Sequence, residues 1–568
     1  MSIISSRKSS LSARSSKDKS SRRSVRFQLN YNLKTVLGDE TEHQSYRELV
    51  CYIRDAGLEI QDEDILQILN EARGCINILD KSHNLFVQVL LVTKWAHRSS
   101  AVAEAYKSFV VDLCSAHNYY TKFAIEQLVS NFKPVGEHLE WEKGRPCESE
   151  EVVFQRIHSV IKVLLQVIPM SVELLVSSVS ASFPYTRCKD ANEHVAYISN
   201  VLRILDYKAE LRQQFLSLIV TKLLQLDVNS PRSDLEEKDE EETQMFSLED
   251  SASASNPIAD ALDLSLGVMF EYIHIQCHPD GKTICWQRTK ALYTDILAVF
   301  DKVILPTHAS HHVQFLIFFL LSFKNNLLLW FLQYLWRKVI DPNVFHVIRQ
   351  AAIGYIASLL SRAKYVPISA VKDTLTQLSS WIHGYISNCD AQTSCDPRIH
   401  SVFYSACQAL FYLIAFRHKE IVLNSPKGLQ FLQGLNLAKV VSSQLNPLRV
   451  CLPAVTNNFA SVARHYQLVY CYTVIEHNRR NTIPVVYQDS TSSEHVYLDT
   501  FFPFDPYLLT RTKKYVSEWY REYDNSLPEE QLVKEGSGEG EDEDDFLMEQ
   551  SPVNSLQFSY GTSPGFKM

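Results

Sequence analysis

Apolar residues recur every three to four positions along most of this chain, a period that suits helices and leaves little for sheets to use. In DEDILQILNEARGCINIL, Ile65, Ile68, Leu69 and Ala72 share one face. In LRQQFLSLIVTKLLQLDV, Leu211, Phe215, Leu218, Ile219 and Leu223 fall in register. VIRQAAIGYIASLLSRAKYVP lines up Ala352, Ile353, Ile356 and Leu360 and stops before Pro367, where the ring imposes an extended residue ahead of it. Strand-like alternation is confined to Ile483–Tyr487, a short extended piece.

The pattern predicts an all-α fold. Its helices are joined by short polar or proline-containing links such as ILPTHAS, IDPN and YVPIS, which make successive helices antiparallel neighbours. A single layer of such hairpins buries both stripes by stacking on the next hairpin, so the expected architecture is a HEAT-like helical-repeat solenoid. The most apolar stretch, Val313–Trp336, has an unbroken run only from Phe315 to Leu321 before Lys324-Asn325-Asn326. A membrane span needs about 20 apolar residues, so two buried helices with a polar turn are expected instead, and no membrane partner.

Composition breaks the helical pattern in three places. Between Met1 and Arg26 there are eight Lys or Arg and one Asp among many serines. This predicts a flexible basic arm, 1–45, whose Arg22, Arg23 and Arg26 serve nuclear import or a direct DNA contact rather than secretion. Asp234–Asp250 holds nine acidic residues and one lysine, a density that favours a solvated, disordered loop over 230–257. The expected organisation is helical repeats over 46–229 and 258–480, an irregular strap over 481–525 and an acidic, Ser-Pro-containing tail over 526–568. The formal net charge of -9 argues against general wrapping of nucleic acid. Twelve cysteines, among them Cys51, Cys114, Cys407 and Cys471 scattered singly, read as mostly buried thiols in a reducing compartment.

Chemistry is sparse. His308, His311 and His312 are spaced as one face of a helix start, but no Glu stands where HExxH hydrolysis needs it. Five residues separate Cys389 from Cys395, more than zinc sites usually allow, and no second close pair completes a ligand set. Cys277, His278 and Cys285 are similarly spread. Gly281-Lys282-Thr283 resembles the end of a phosphate loop, yet Gln276 stands at its first glycine. The sequence therefore predicts no enzyme, no catalytic residue, no cofactor and no metal. Phosphorylation fits better. Ser24 follows two arginines, Ser247 precedes an acidic pair, and Ser551 and Ser563 precede prolines; added charge at such sites changes docking.

Longer strings resemble one family. RRSVRF (Arg22–Phe27), LPTHASHHVQFLIFFLLSFK (Leu305–Lys324), IRQAAIGYIASLLSRAKYVP (Ile348–Pro367) and FYSACQALFYLIAFRHK (Phe403–Lys419) are similar to the RNA polymerase I-specific transcription initiation factors of the growth-regulated TIF-IA type. SQLNPLRVCLPAV, CYTVIEHNRR, LDTFFPFDPYLL and EDEDDFL continue the resemblance, which covers about 20–550. It implies a HEAT-repeat, non-enzymatic bridge. Such a bridge binds RNA polymerase I through stalk-side subunits and recruits it to the promoter-bound selectivity or core factor at ribosomal RNA genes. Regulatory kinases control the docking, the free form dimerises, and the setting is the nucleus and nucleolus with a nucleoplasmic or cytoplasmic pool.

Two residues enter through the resemblance alone. Ser171, in VIPMSV, holds the place of a stress-kinase threonine, although Met170 and Val172 replace the flanking serine and proline. Ser149, in CESEE, is what stands here of a serine patch that faces polymerase. The FFPFDPYLL strap is expected to pack on the last helices. The alternative function on the same helical stacks is a nuclear-transport or other helical-repeat scaffold adaptor, which calls for a longer chain with regular repeats throughout.

Overall fold

The computed structural model of the chain describes residues 33–38, 43–56, 60–134, 146–187, 190–230, 257–308, 310–389, 397–423, 427–480, 498 and 502–523. Arg22, Arg23, Arg26, Ser24, Ser247, Ser551, Ser563, Cys395 and Ile483–Tyr487 lie outside the described residues. Everything described is helical or irregular. Its single strand-like feature is an isolated antiparallel bridge between Ala363 and Tyr520.

Two compact units form. The first comprises Met1–Asn131 and Glu148–Ser182, and its helices are α1 (Leu33–Gly38), α2 (His43–Ala56), α3 (Asp62–Gly74), α4 (Asn84–Val92), α5 (Ser100–Ala116), α6 (Thr121–Ser130), α7 (Glu148–Val167) and α8 (Ser171–Ala181). Helix therefore begins at Leu33, inside the stretch that composition assigns to the arm. The buried stripe of α3 is the one its spacing predicts: Ile65, Ile68, Leu69 and Ala72. It packs on α5, whose Tyr106 stacks on Trp95 with ring centroids 4.3 Å apart. Asp62 ties the two helix starts together. It accepts from Arg98 Nη1 and from the Ser99 amide, each at 2.9 Å. Burial pushes its carboxyl up, but the bonds from Ser99 and Arg98 outweigh burial and hold it below its ordinary value.

The second unit comprises Phe132–Cys147 and Phe183–Met568. Its helices are α9 (Ala191–Ile204), α10 (Arg212–Val228), α11 (Pro257–Cys277), α12 (Trp286–Val299), α13 (Phe315–Ser322), α14 (Asn325–Ile340), α15 (His346–Arg362), α16 (Ile368–Ser387) and α17 (Ser401–Leu423). Then come α18 (Gly428–Gly434), α19 (Leu437–Val441), α20 (Pro447–Val450), α21 (Pro453–His465), α22 (Tyr472–Arg480) and α23 (Lys513–Val516). Helices α10 and α11 pack on each other and α11 also packs on α9. The acidic segment between α10 and α11 thus joins neighbours within one unit rather than separating two.

At the centre, α15 is buried at every position from Ala352 to Arg362, and α17 at every position from Ser401 to Ala415. A helix apolar all round must be enclosed by others. Here α14 and α17 pack on α15, while α16 and α21 pack on α17. Val313–Trp336 resolves into α13 and α14 with the turn at Phe323-Lys324, as its interrupted hydropathy predicts. Among the described residues no helix is long and apolar enough to cross a membrane. The ten described cysteines are free thiols, and six of them, including Cys114, Cys407 and Cys471, are buried; Cys51 is exposed.

Candidate docking site

The three histidines do not start a helix. The chain is irregular over 310–314 and α13 begins at Phe315. What organises this turn is Asp227, in the last turn of α10, fully buried. Its Oδ2 accepts from the amides of His311, His312 and Val313 at 2.9, 2.8 and 3.1 Å. His312 Nδ1 donates to Oδ1 at 2.8 Å. Burial alone raises the Asp227 carboxyl, yet attraction to His312 and the bonds from His312 and Val313 hold it below its ordinary value. The His312 ring lies edge-to-face on Tyr507, centroids 5.2 Å apart. These contacts fasten the turn, and no group of three potential metal ligands gathers among the described residues.

Three residues ahead of FFPFDPYLL, the Leu498 amide donates to the Val450 carbonyl of α20, among the last helices, at 3.0 Å. The strap then leaves them, contrary to expectation, and crosses the middle of the second unit. Phe502 stacks on Tyr412 of α17 at 4.5 Å. Gln314 Nε2 donates to the Pro503 carbonyl at 2.5 Å, and the Phe504 amide donates to Ser358 Oγ of α15 at 2.9 Å. The Phe504 ring is fully buried among Phe315, Phe318 and Tyr355, at 5.2–5.7 Å. Farther on, Asp263 of α11 accepts from the Arg511 and Thr512 amides at 2.9 and 3.0 Å. The strap ends in the lone bridge, where Lys364 N donates to Trp519 O at 2.8 Å and Arg521 N to Arg362 O at 2.6 Å.

Beside that bridge, Glu420 joins two guanidinium groups. Arg417 Nη2 donates to its Oε2 at 2.8 Å, and Arg521 pairs with its Oε1. Arg417 is buried and also donates to the Leu360 carbonyl at 2.5 Å. Burial lowers both arginines to about 10, helped at Arg521 by Arg417.

The serines fare differently. Ser149 is exposed in the first turn of α7, beside Glu148, Glu150 and Glu151. Ser171 is fully buried at the start of α8, and its hydroxyl donates to the carbonyls of Ile168 at 2.5 Å and Leu164 at 3.3 Å. A kinase reaches it only if that turn opens. Ser171→Ala is expected to cost about 1 kcal/mol, against under about 0.5 for Ser149→Ala, by thermal unfolding. Kinase labelling of the folded chain should favour Ser149. Large apolar side chains facing solvent are scattered: Tyr185, Phe345, Ile399, Leu423 and Tyr470 are exposed. Phe345 and Val347 flank the start of α15, where a cavity of about 170 Å³ reaches to Pro306 and Ala409.

Buried carboxylates that fasten backbone, and a strap locked across helix after helix, define a helical scaffold, built to hold a surface in place. The sequence profile of the family "RNA polymerase I specific transcription initiation factor RRN3" matches residues 17–256 and 242–527. The chain belongs to this family. It is 37% identical over 536 residues to the RNA polymerase I-specific transcription initiation factor RRN3 of Mus musculus, covering 87% of this chain and 81% of that one. The corresponding factor of Schizosaccharomyces pombe is 27% identical over 546 residues, covering 88% and 84%. The fold is that of the crystal structure of RNA polymerase I transcription initiation factor Rrn3, with a TM-score of 0.68 at 22% identity, covering 86% of this chain and 97% of that one.

Proposed function

We propose that this chain is a non-enzymatic bridge, which binds RNA polymerase I and brings it to the promoter-bound selectivity or core factor at ribosomal RNA genes. The observation that carries the reading is family membership along nearly the whole helical body, 17–527. A bridge needs a surface that keeps its shape while two large partners engage it. The strap, fastened at Ser358, Asp263 and Arg362, supports that role by tying together helices far apart in sequence. On this reading the helices stack as HEAT-like repeats, the setting is the nucleus and nucleolus, and phosphate on exposed serines controls docking. Ser149 suits such control. A phosphate there adds to the exposed Glu148 and half-buried Glu151 and repels an acidic partner surface.

The test is retention of purified RNA polymerases I, II and III on the immobilised chain, unmodified and with Ser149→Asp. Selective retention of polymerase I, weakened by the substitution without a shift in thermal midpoint, supports the regulated bridge. Equal failure with all three, from folded protein, overturns it.

A further inference from the structure

A feature that the bridge does not use sits where α12 and α14 begin. Trp286 opens α12 and Trp330 lies in the second turn of α14, with ring centroids 5.7 Å apart and planes inclined at 43°. Trp330 is 38% exposed and its neighbour Leu329 49% exposed, although the opposite side of α14 carries fully buried Leu327, Leu328 and Phe331. Each indole has a lysine over its face. Lys324 Nζ is 4.4 Å from the Trp286 centroid and Lys290 Nζ 5.8 Å from the Trp330 centroid. Both lysines are exposed, and neither forms an ion pair among the described residues.

The surroundings are cationic. Residues 280–290 contain Lys282, Arg288 and Lys290 against Asp280, and Lys324 adds a fourth cation from the start of α14. Neither helix places an acidic residue in its first turn. Of the carboxylates farther along α12 and just beyond it, Asp295 is engaged with Arg212, and Asp301 with Lys338 and Tyr334. In a chain of net charge -9 this is a local reversal of sign.

Paired indoles flanked by exposed cations are what an unpaired base and its phosphate require. The ring offers a stacking face whatever the base, and the lysine takes the phosphate. A lysine over an exposed ring does not block this, because an exposed cation–π contact is weaker than a base stacked on indole. Duplex DNA gains less, since its bases are already stacked on one another. We propose that the Trp286–Trp330 pair, with Lys290 and Lys324, is a binding site for single-stranded nucleic acid. The site is separate from the basic arm and independent of the polymerase-bridging reading.

The test is fluorescence anisotropy with a labelled twenty-nucleotide oligothymidylate and with a duplex of equal length, using the full chain. Variants are Trp330→Ala, the double variant Lys290→Glu with Lys324→Glu, and the arm variant Arg22→Ala, Arg23→Ala, Arg26→Ala. Circular dichroism confirms that each is folded. The expected result is tighter binding of the single strand than of the duplex. Trp330→Ala should weaken it roughly tenfold, the lysine variant should also flatten its salt dependence, and the arm variant should retain the preference for single strands. Equal binding of strand and duplex, no loss in Trp330→Ala, or loss in the arm variant alone each overturns the proposal. So does undetectable binding of the unmodified chain at low salt.

Discussion

Asp227→Asn is expected to destabilise the second unit by about 3–5 kcal/mol, read as a fall in the midpoint of thermal or urea unfolding. The carboxylate accepts four hydrogen bonds, three from successive amides, and it is fully buried. An amide oxygen in the place of Oδ2 is a neutral and weaker acceptor for the three amides, and the NH₂ in the place of Oδ1 meets the Nδ1–H of His312, donor against donor unless the ring changes tautomer. The effect has a pH signature. Because the folded carboxyl is held below its ordinary value, its stabilisation is complete above the unfolded carboxylate range, about pH 4. It is lost as pH falls through the lower folded value. The wild-type chain should therefore lose this increment on acidification, whereas Asp227→Asn lacks it at every pH. A variant with an unchanged midpoint at pH 7 would mean that the turn over 311–313 holds itself.

Asp227 also shows what the sequence could and could not disclose. Helical spacing gave the stripe of α3 correctly because it is decided within a few turns; in α15 the four marked residues are buried, but so is every position from Ala352 to Arg362, because neighbours distant in sequence enclose the helix on all sides. In α10 the same spacing marked Leu218, yet Leu216 is the buried residue and Leu218 is only half-buried. A signal for Asp227 existed. It continues the face of Val220 and Leu223, and a carboxylate in that register must find donors. Asp263 sits likewise between Ala259 and Leu266. The partners, however, lie 84 and 248 residues away, and no local pattern names them. His308, His311 and His312 were misplaced on a helix for the same reason. Their spacing is compatible with one, but the turn is shaped by Asp227. The docking candidates were legible only in part. Ser149 stands among glutamates and Ser171 among apolar residues, but that one is exposed and the other fully buried is decided only when α7 and α8 are in place.

Phe504→Ala is expected to cost about 3–5 kcal/mol and to free the strap from the middle of the second unit. The ring is fully buried against Phe315, Phe318 and Tyr355, so its removal forfeits the transfer energy and leaves a space that α13 and α15 cannot close. These helices are central, and their aromatic side chains already contact one another or neighbouring rings. The Phe504 amide still has Ser358 and the Thr512 amide still has Asp263, so the strap stays tethered at 504 and 512 while the stretch between them loosens. Limited proteolysis should then cut between 505 and 511 at protease levels that leave the wild-type chain intact. Retention of RNA polymerase I should fall in parallel if the strap keeps the helices in their binding arrangement. Loss of stability with full retention of polymerase would assign the strap to folding alone. A protease pattern identical to wild type would show that the hydrogen bonds at Ser358 and Asp263, rather than the aromatic cage, hold it down.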